Sequence, residues 1–251
     1  MNHLIAALPH GSRVLDASAP GGTLPAQRND IEVVRLAPQT CLPRMAFESQ
    51  SFDLVVLSLG LDPAFDLDEA ACEIGRVVKA DGGLYLTVAE TGTFTDRIFR
   101  WLSGRAAPSK AFRSPADVVG PIERLTGLKC RGTRVLFSGL SFLNARNVAQ
   151  RPKRLLLFAN GNERFLALLT WAMRTSDLLF GTRASHYGWE FYFGSAEPVD
   201  SAEWWSNVCV RCGAGHSEVF LRQRTAVGRT LHFWESYRCP ECSGWNLLTR
   251  D

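Results

Sequence analysis

Between Phe52 and Val88 the chain passes from one hydrophobic period to the other and back, and this stretch limits the fold more than any other. Phe52-Asp-Leu-Val-Val-Leu-Ser58 is an apolar run rather than an alternation, as a strand buried on both faces of a sheet requires. Leu67, Ala70, Ala71, Ile74, Val77 and Val78 then fall on one face at helical spacing, behind Asp66, a residue suited to cap a helix. Asp81-Gly82-Gly83 is expected to stop that helix, and Leu84-Tyr-Leu-Thr-Val88 reads as the next strand. Strand, helix and strand in this order make a βαβ unit with parallel strands. Val14-Leu15-Asp16-Ala17, running into the turn Ala19-Pro20-Gly21-Gly22, supplies a first strand, and Glu32 to Leu36 a second. The expected class is therefore α/β.

Further on the pattern loosens. Thr95 to Ser103 reads as an amphipathic helix, with Phe94, Ile98, Trp101 and Leu102 set against Arg97 and Arg100. Arg105 to Pro115 reads as a basic linker, Arg134 to Phe137 as a strand and Phe165 to Met173 as a helix. His186 to Phe193 is an aromatic strand that closes the first domain, expected over residues 1–195; a second, small domain is expected over 204–251. Hydrophobic content of 46% against 21% charged residues is enough for a packed core. No uninterrupted apolar run reaches the length of a membrane span, because Phe165 to Phe180 contains Arg174 and Asp177. With only a short, weakly charged stretch before Pro9, the expected location is cytoplasmic.

The second domain announces itself through cysteines. Four of the seven form two pairs, Cys209-Val-Arg-Cys212-Gly213 and Cys239-Pro-Glu-Cys242-Ser-Gly244, separated by 26 residues. Each pair closes a tight turn that can present two thiolates to one ion, so the expectation is a small β zinc ribbon with Cys209, Cys212, Cys239 and Cys242 as ligands. Four thiolates leave no open coordination position, which makes the metal structural; His216 and His232 find no vacancy. Glu218 to Arg224 and Arg229 to Tyr237 are predicted as the two strands of its hairpin, from the alternation of Val219 with Leu221 and Leu231 with Phe233. Ribbons of this kind bind nucleic acid or dock on proteins. Arg222, Arg224, Arg229 and Arg238 with Trp234 and Trp245 would suit RNA, but the aromatics suit packing on the chain's own first domain somewhat better.

Charge is unevenly spread. Thr95 to Arg154 holds thirteen Lys or Arg against Asp96, Asp117 and Glu123, a local +10 in a chain of net +3, which leaves −7 elsewhere. A solvated face is the commoner meaning of such a run; an anionic ligand is the functional one.

Four stretches together resemble the class I S-adenosylmethionine-dependent methyltransferases of the branch that modifies small molecules and some RNAs. These are Val14 to Gly22, Ser51 to Ser58, Glu73 to Val88 and Ser185 to Phe193. The resemblance implies a Rossmann-like sheet with flanking helices, and S-adenosylmethionine held at Asp16, Ser18, Gly21 and Gly22. Ser18 and Pro20 stand where that family commonly has glycines. Leu36-Ala37-Pro38 stands where it has an acid for the ribose, and Cys41 where an Asp often holds the adenine. Asp62, just past the third strand, lies where the family often faces substrate; the ordinary role of Asp62-Pro63 is to start a turn. Two functions of different class follow. One is methyl transfer to an anionic acceptor, RNA or a phosphorylated sugar or lipid carrier; the other is a scaffold without cofactor that engages a protein partner through its basic surface and ribbon. Peripheral membrane contact through Phe94 to Arg105 is a third, weaker reading, and packing on the core is the ordinary role of such a helix.

Overall fold

The structure is a computed structural model that describes residues 2–18, 28–36, 44–58, 66–93, 97, 112–137, 163–194, 205–209, 215–230 and 234–248. The chain divides into two compact units. One comprises Met1–Ala89, Pro108–Thr133 and Trp189–Asp200, the other Glu90–Ala107, Arg134–Gly188 and Ser201–Asp251.

In the first unit β1 (Arg13–Asp16), β2 (Glu32–Arg35), β3 (Phe52–Ser58) and β4 (Val78–Ala89) run parallel. With β5 (Cys130–Phe137) and β6 (His186–Gly194) the order becomes β2-β1-β3-β4-β6-β5. The sheet thus grows to one side of β1 and then to the other. Val14, Leu15, Val55, Val56, Leu57, Leu84 and Leu86 lose all contact with water. At about 1.5–3 kcal/mol for each large apolar side chain, these central strands are the main source of stability in the unit. The α/β class expected from the sequence is the observed one.

Among the described residues, three helices belong to this unit. In α1 (Asn2–Ala7), Leu4 and Ile5 pack with Val14, Leu54, Val56, Tyr85 and Tyr192. In α2 (Leu67–Val77) the Asp66 carboxylate accepts the Asp68 N–H at 2.9 Å, and Leu67, Ala70, Ala71, Ile74 and Val77 are buried, as the periodicity predicts. In α3 (Ala116–Thr126) Val118 and Ile122 are buried, and the helix ends on Gly127 at φ +74°. A Cβ on Gly75 would lie 2.9 Å from the Thr126 Cα, so the glycine permits α2 and α3 to pack this closely.

The Asp81-Gly82-Gly83 segment differs from expectation. The helix ends at Val77, and Gly82 and Gly83 lie inside β4 rather than in a turn. The register slips there: Phe52 pairs with Val78, whereas Leu54 pairs with Gly83. A side chain on Gly82 would meet the Asp53 carbonyl at 3.0 Å, and one on Gly83 the Tyr192 hydroxyl at 3.1 Å. The glycines serve close backbone approach at a bulge. Asp53 fastens the same place, accepting the Arg13 amide at 2.9 Å and the Lys79 ammonium at 2.7 Å. Burial works to raise its pKa, but these two partners outweigh it and hold the carboxyl below its ordinary value.

In the second unit β7 (Trp205–Val208) pairs parallel with the end of β5, Val135 opposite Trp205. The short β8 (Gly215–His216) pairs antiparallel with β7. A separate antiparallel sheet has the order β11-β10-β9, from β9 (Gly228–Thr230), β10 (Trp234–Arg238) and β11 (Trp245–Leu248). An 18-residue helix, α4 (Glu163–Phe180), reaches seven residues beyond its predicted end and packs against β11.

The predicted hairpin of the ribbon needs correction, because Glu218–Arg224 is a helix, α5, and not a strand. Ser217 caps it by accepting the Phe220 N–H, and Glu218 pairs with Arg222 one turn on. Acid in the first turn and bases in the last suit the helix dipole. Leu221 is buried while Val219 is half exposed. The antiparallel pairing is made by β10 with its neighbours.

Candidate functional site

Three places in the molecule concentrate chemistry, the first of them in the first unit. In a sheet whose order reverses at one strand, ligands bind outside the carboxyl ends at that point, which here is the end of β1, flanked by β2 and β3. Asp16 closes β1 there, and its carboxylate is almost wholly buried. One oxygen accepts the Ser18 N–H at 3.1 Å and so shapes the start of the loop; the other lies 3.9 Å from the Arg35 Nε. The Asp16 carbonyl accepts the Leu36 N–H, and Ala17 donates to Val56, which fixes the strand ends around the acid. Arg35 and Leu36 thus occupy the end of β2 where an acid for a ribose was sought. The local turn at Asp16 and Ser18 suits a loop that approaches a ligand, while the end of β2 offers no carboxylate to sugar hydroxyls. Pro20, Gly21, Gly22, Ala37, Cys41 and Asp62 lie outside the described residues.

In the second unit Glu90, the residue that follows β4, forms a cluster that the sequence reading missed. Its side chain is 5% exposed, and Arg183 Nη2 reaches both carboxylate oxygens, at 2.8 and 2.9 Å. His186 Nδ1 lies 2.5 Å from Oε2. Arg183 Nη2 lies 3.2 Å from the same Nδ1; in the tautomer that donates from Nδ1 to Glu90, the accepting lone pair is on Nε2. Two cationic or polar partners make such burial of a charge tolerable. The loop that brings them is held by Asp177 of α4. Its carboxylate accepts the amides of Ala184 at 2.6 Å and Ser185 at 2.8 Å, and its carbonyl accepts the N–H of Gly181, at φ +63°. A carboxylate that orients an imidazole is an arrangement able to take up a proton at Nε2. A single acid directly after an apolar strand, the same signal that singles out Asp16, was present in the sequence at Glu90.

The third place, also in the second unit, gathers cysteines. Cys209 follows β7; Cys239 and Cys242 flank the turn between β10 and β11. That turn is a knuckle in which the Cys239 amide donates to the Gly244 carbonyl and the Ser243 amide to the Cys239 carbonyl, with Ser243 at φ +57°. The three sulfurs lie within 4.8 Å of one another, and those of Cys209 and Cys242 are 3.7 Å apart. Metal–thiolate bonds of ~2.3 Å in a tetrahedron set sulfurs about 3.8 Å apart, so this spacing suits a zinc-sized ion and is far beyond a disulfide bond. Cys209 and Cys239 are buried beside Leu221, Tyr237 and Leu248. Cys212 and His232 lie outside the described residues, as do Phe94 and most of the segment to Arg105. His216, set aside in the sequence as a rival ligand, lies with Nε2 3.7 Å from the Cys239 sulfur.

Comparison with known proteins gives the following. No family profile matches the chain, and no curated protein is similar to it. Among solved structures, it is similar to a protein named as a sarcosine dimethylglycine methyltransferase of Galdieria sulphuraria. The TM-score is 0.45 at 15% identity, over 78% of this chain and 83% of that one. A phosphoethanolamine N-methyltransferase 2 of Haemonchus contortus, in complex with S-adenosyl-L-methionine, has a TM-score of 0.40 at 14% identity, over 78% of this chain and 53% of that one. A chain of the complex between the Haloferax volcanii Trm112 methyltransferase activator and a protein named as a methyltransferase has a TM-score of 0.42 at 16% identity, over 80% and 89%. Among the described residues, no helix is long and apolar enough to cross a membrane.

Proposed function

We propose that this chain is an S-adenosylmethionine-dependent methyltransferase of the cytoplasm, acting on an anionic acceptor such as RNA or a phosphorylated sugar or lipid carrier. In the same proposal Cys209, Cys212, Cys239 and Cys242 bind a structural zinc ion. The observation that carries the enzyme reading is the buried Asp16 at the carboxyl end of β1, where the strand order reverses. Asp16, Ser18, Gly21 and Gly22 would hold the cofactor, which supplies a methyl group activated on a sulfonium. The protein's task is then mainly alignment of that methyl with the acceptor. Asp62 is the group offered to the acceptor. The surplus of ten positive charges between Thr95 and Arg154 supports an anionic acceptor. The sulfur spacing of Cys209, Cys239 and Cys242 supports the zinc ion.

One observation favours a second reading. Arg35, at the end of β2, faces Asp16 across 3.9 Å and brings a cation where a ribose-binding acid would be expected. A scaffold that has given up the cofactor and engages a protein partner through its basic surface or ribbon would have this feature. Calorimetric titration of the zinc-loaded protein with S-adenosylmethionine and S-adenosylhomocysteine separates the two. The enzyme reading expects micromolar binding that weakens at least tenfold in Asp16→Ala. Absence of heat and of any thermal shift at millimolar cofactor would sink it in favour of the scaffold.

A further inference from the structure

The cysteine centre joins two different β ladders. Cys209 leaves β7, which is paired with β5 and β8; Cys239 and Cys242 sit between β10 and β11 of the small sheet. Four thiolates around a divalent ion carry a net charge of −2, and Cys209 and Cys239 are 0% and 2% exposed. A charge buried to that degree requires hydrogen-bond donors.

Two buried side chains supply them. Asn246 of β11, 2% exposed, donates through Nδ2 to the Cys209 sulfur at 3.3 Å and to the Gly244 carbonyl at 3.0 Å. His216 of β8, 6% exposed, directs Nε2 at the Cys239 sulfur, 3.7 Å away. Its ring is stacked on Phe220 of α5, with centroids 5.3 Å apart and planes 8° from parallel. With Cys239 as a metal-bound thiolate, which has no proton to give, the donor of this contact would be His216 Nε2.

The placement is reciprocal. The donor on the small sheet serves the sulfur that follows β7, and the donor paired with β7 serves a sulfur of the small sheet. We propose that Asn246 and His216 lace the two ladders together across the metal's sulfurs, so that they hold the ion in place and make its release and the parting of the ladders one event. The inference rests on the zinc reading above. In this reading neither residue is a ligand, and both act through a thiolate.

The test uses the full chain loaded with Co(II), whose thiolate charge-transfer band reports the site directly. Asn246→Leu and His216→Phe remove one donor each, and the latter keeps an aromatic ring against Phe220. Groups that hydrogen-bond metal ligands typically change metal affinity by about 10–100-fold, and each variant is expected to lose metal to a chelator faster in that range. His216→Gln, which keeps an N–H, is expected to recover most of the retention. Failure of the native chain to give a four-thiolate Co(II) spectrum would overturn the zinc reading itself. A normal native spectrum with both variants releasing metal at the native rate would overturn only the lacing. Nitrogen-15 NMR of the histidines in the native zinc-loaded chain needs no variant: a proton on Nε2 of His216 is expected, and one on Nδ1 alone would refute the proposal.

Discussion

The strands of the first unit and the cysteine centre of the second are both buried, but different forces order them. Around β1, β3 and β4, side chains such as Leu15, Val55 and Leu86 are wholly buried, and many similar apolar residues share the load. Around Cys209 and Cys239 the apolar neighbours among the described residues are Leu221, Tyr237 and Leu248, with Val227 partly buried at the margin. A cysteine centre is held by a few directional bonds. The lesson is about which residues are replaceable. A hydrophobic core tolerates exchange among residues of like volume, whereas a thiolate centre tolerates none of its ligands.

Removal of the proposed zinc ion should break the comparison most widely. Chelation of the purified chain under reducing conditions is expected to abolish amide-exchange protection in β9, β10 and β11 while leaving it in β3 and β4. Equal loss in both would mean that the strands of the first unit also lean on the metal. Next in size is Leu86→Ala, at a residue wholly buried in β4. It should cost about 2–5 kcal/mol in urea unfolding followed by a probe of the first unit, without altering the Co(II) spectrum.

The smallest effect is one of pH. The Asp53 carboxyl is held below its ordinary value despite burial, by Lys79 and the Arg13 amide; Glu73 is held below its own by Arg76, against burial, with help from the Met45 amide. A depressed carboxylate stabilises the folded state fully above its unfolded pKa, and the gain fades as pH falls through the folded one. Stability of the first unit should therefore be flat near neutrality and decline below about pH 4. Asp53→Asn should flatten that decline by about 1 kcal/mol or less, since the side chain is one-quarter exposed. An unchanged acid limb in this variant would show that Asp53 is not a source of the sensitivity.

What the sequence disclosed follows the same division. The β3–α2–β4 stretch was legible because burial on both faces of a sheet and on one face of a helix leaves a periodic trace. The gathering of Cys209, Cys239 and Cys242 was legible because paired spacing is itself a geometry; Cys212 lies outside the described residues. Gly82-Gly83 misled because a glycine that admits a neighbouring backbone looks the same as one that makes a turn. The helix α3 drew no expectation from the sequence; it carries Gly120 and Pro121, both poor helix formers, and its buried face is made by Val118 and Ile122. In α5 the alternation of Val219 and Leu221 imitated a strand, and the Ser217 cap decided otherwise. Arg183 and His186 are 93 and 96 positions from Glu90, and no local pattern could have joined them. Where the loops of the cofactor site are concerned, only Asp16, Ser18 and the turn they share fall among the described residues.

The pairing of β5 with β7 also has a consequence during synthesis. Val135 meets Trp205, seventy positions later in the chain, and β6, the neighbour of β5 in the strand order, is likewise made after it. At roughly 5–20 residues per second, β5 waits about 4–14 s after leaving the ribosome before its last partner exists. Its edge meanwhile has backbone donors and acceptors to offer to any other extended segment. The nascent chain therefore passes through an interval in which a chaperone or a second copy of itself competes for that edge, and the interval ends only when β7 emerges.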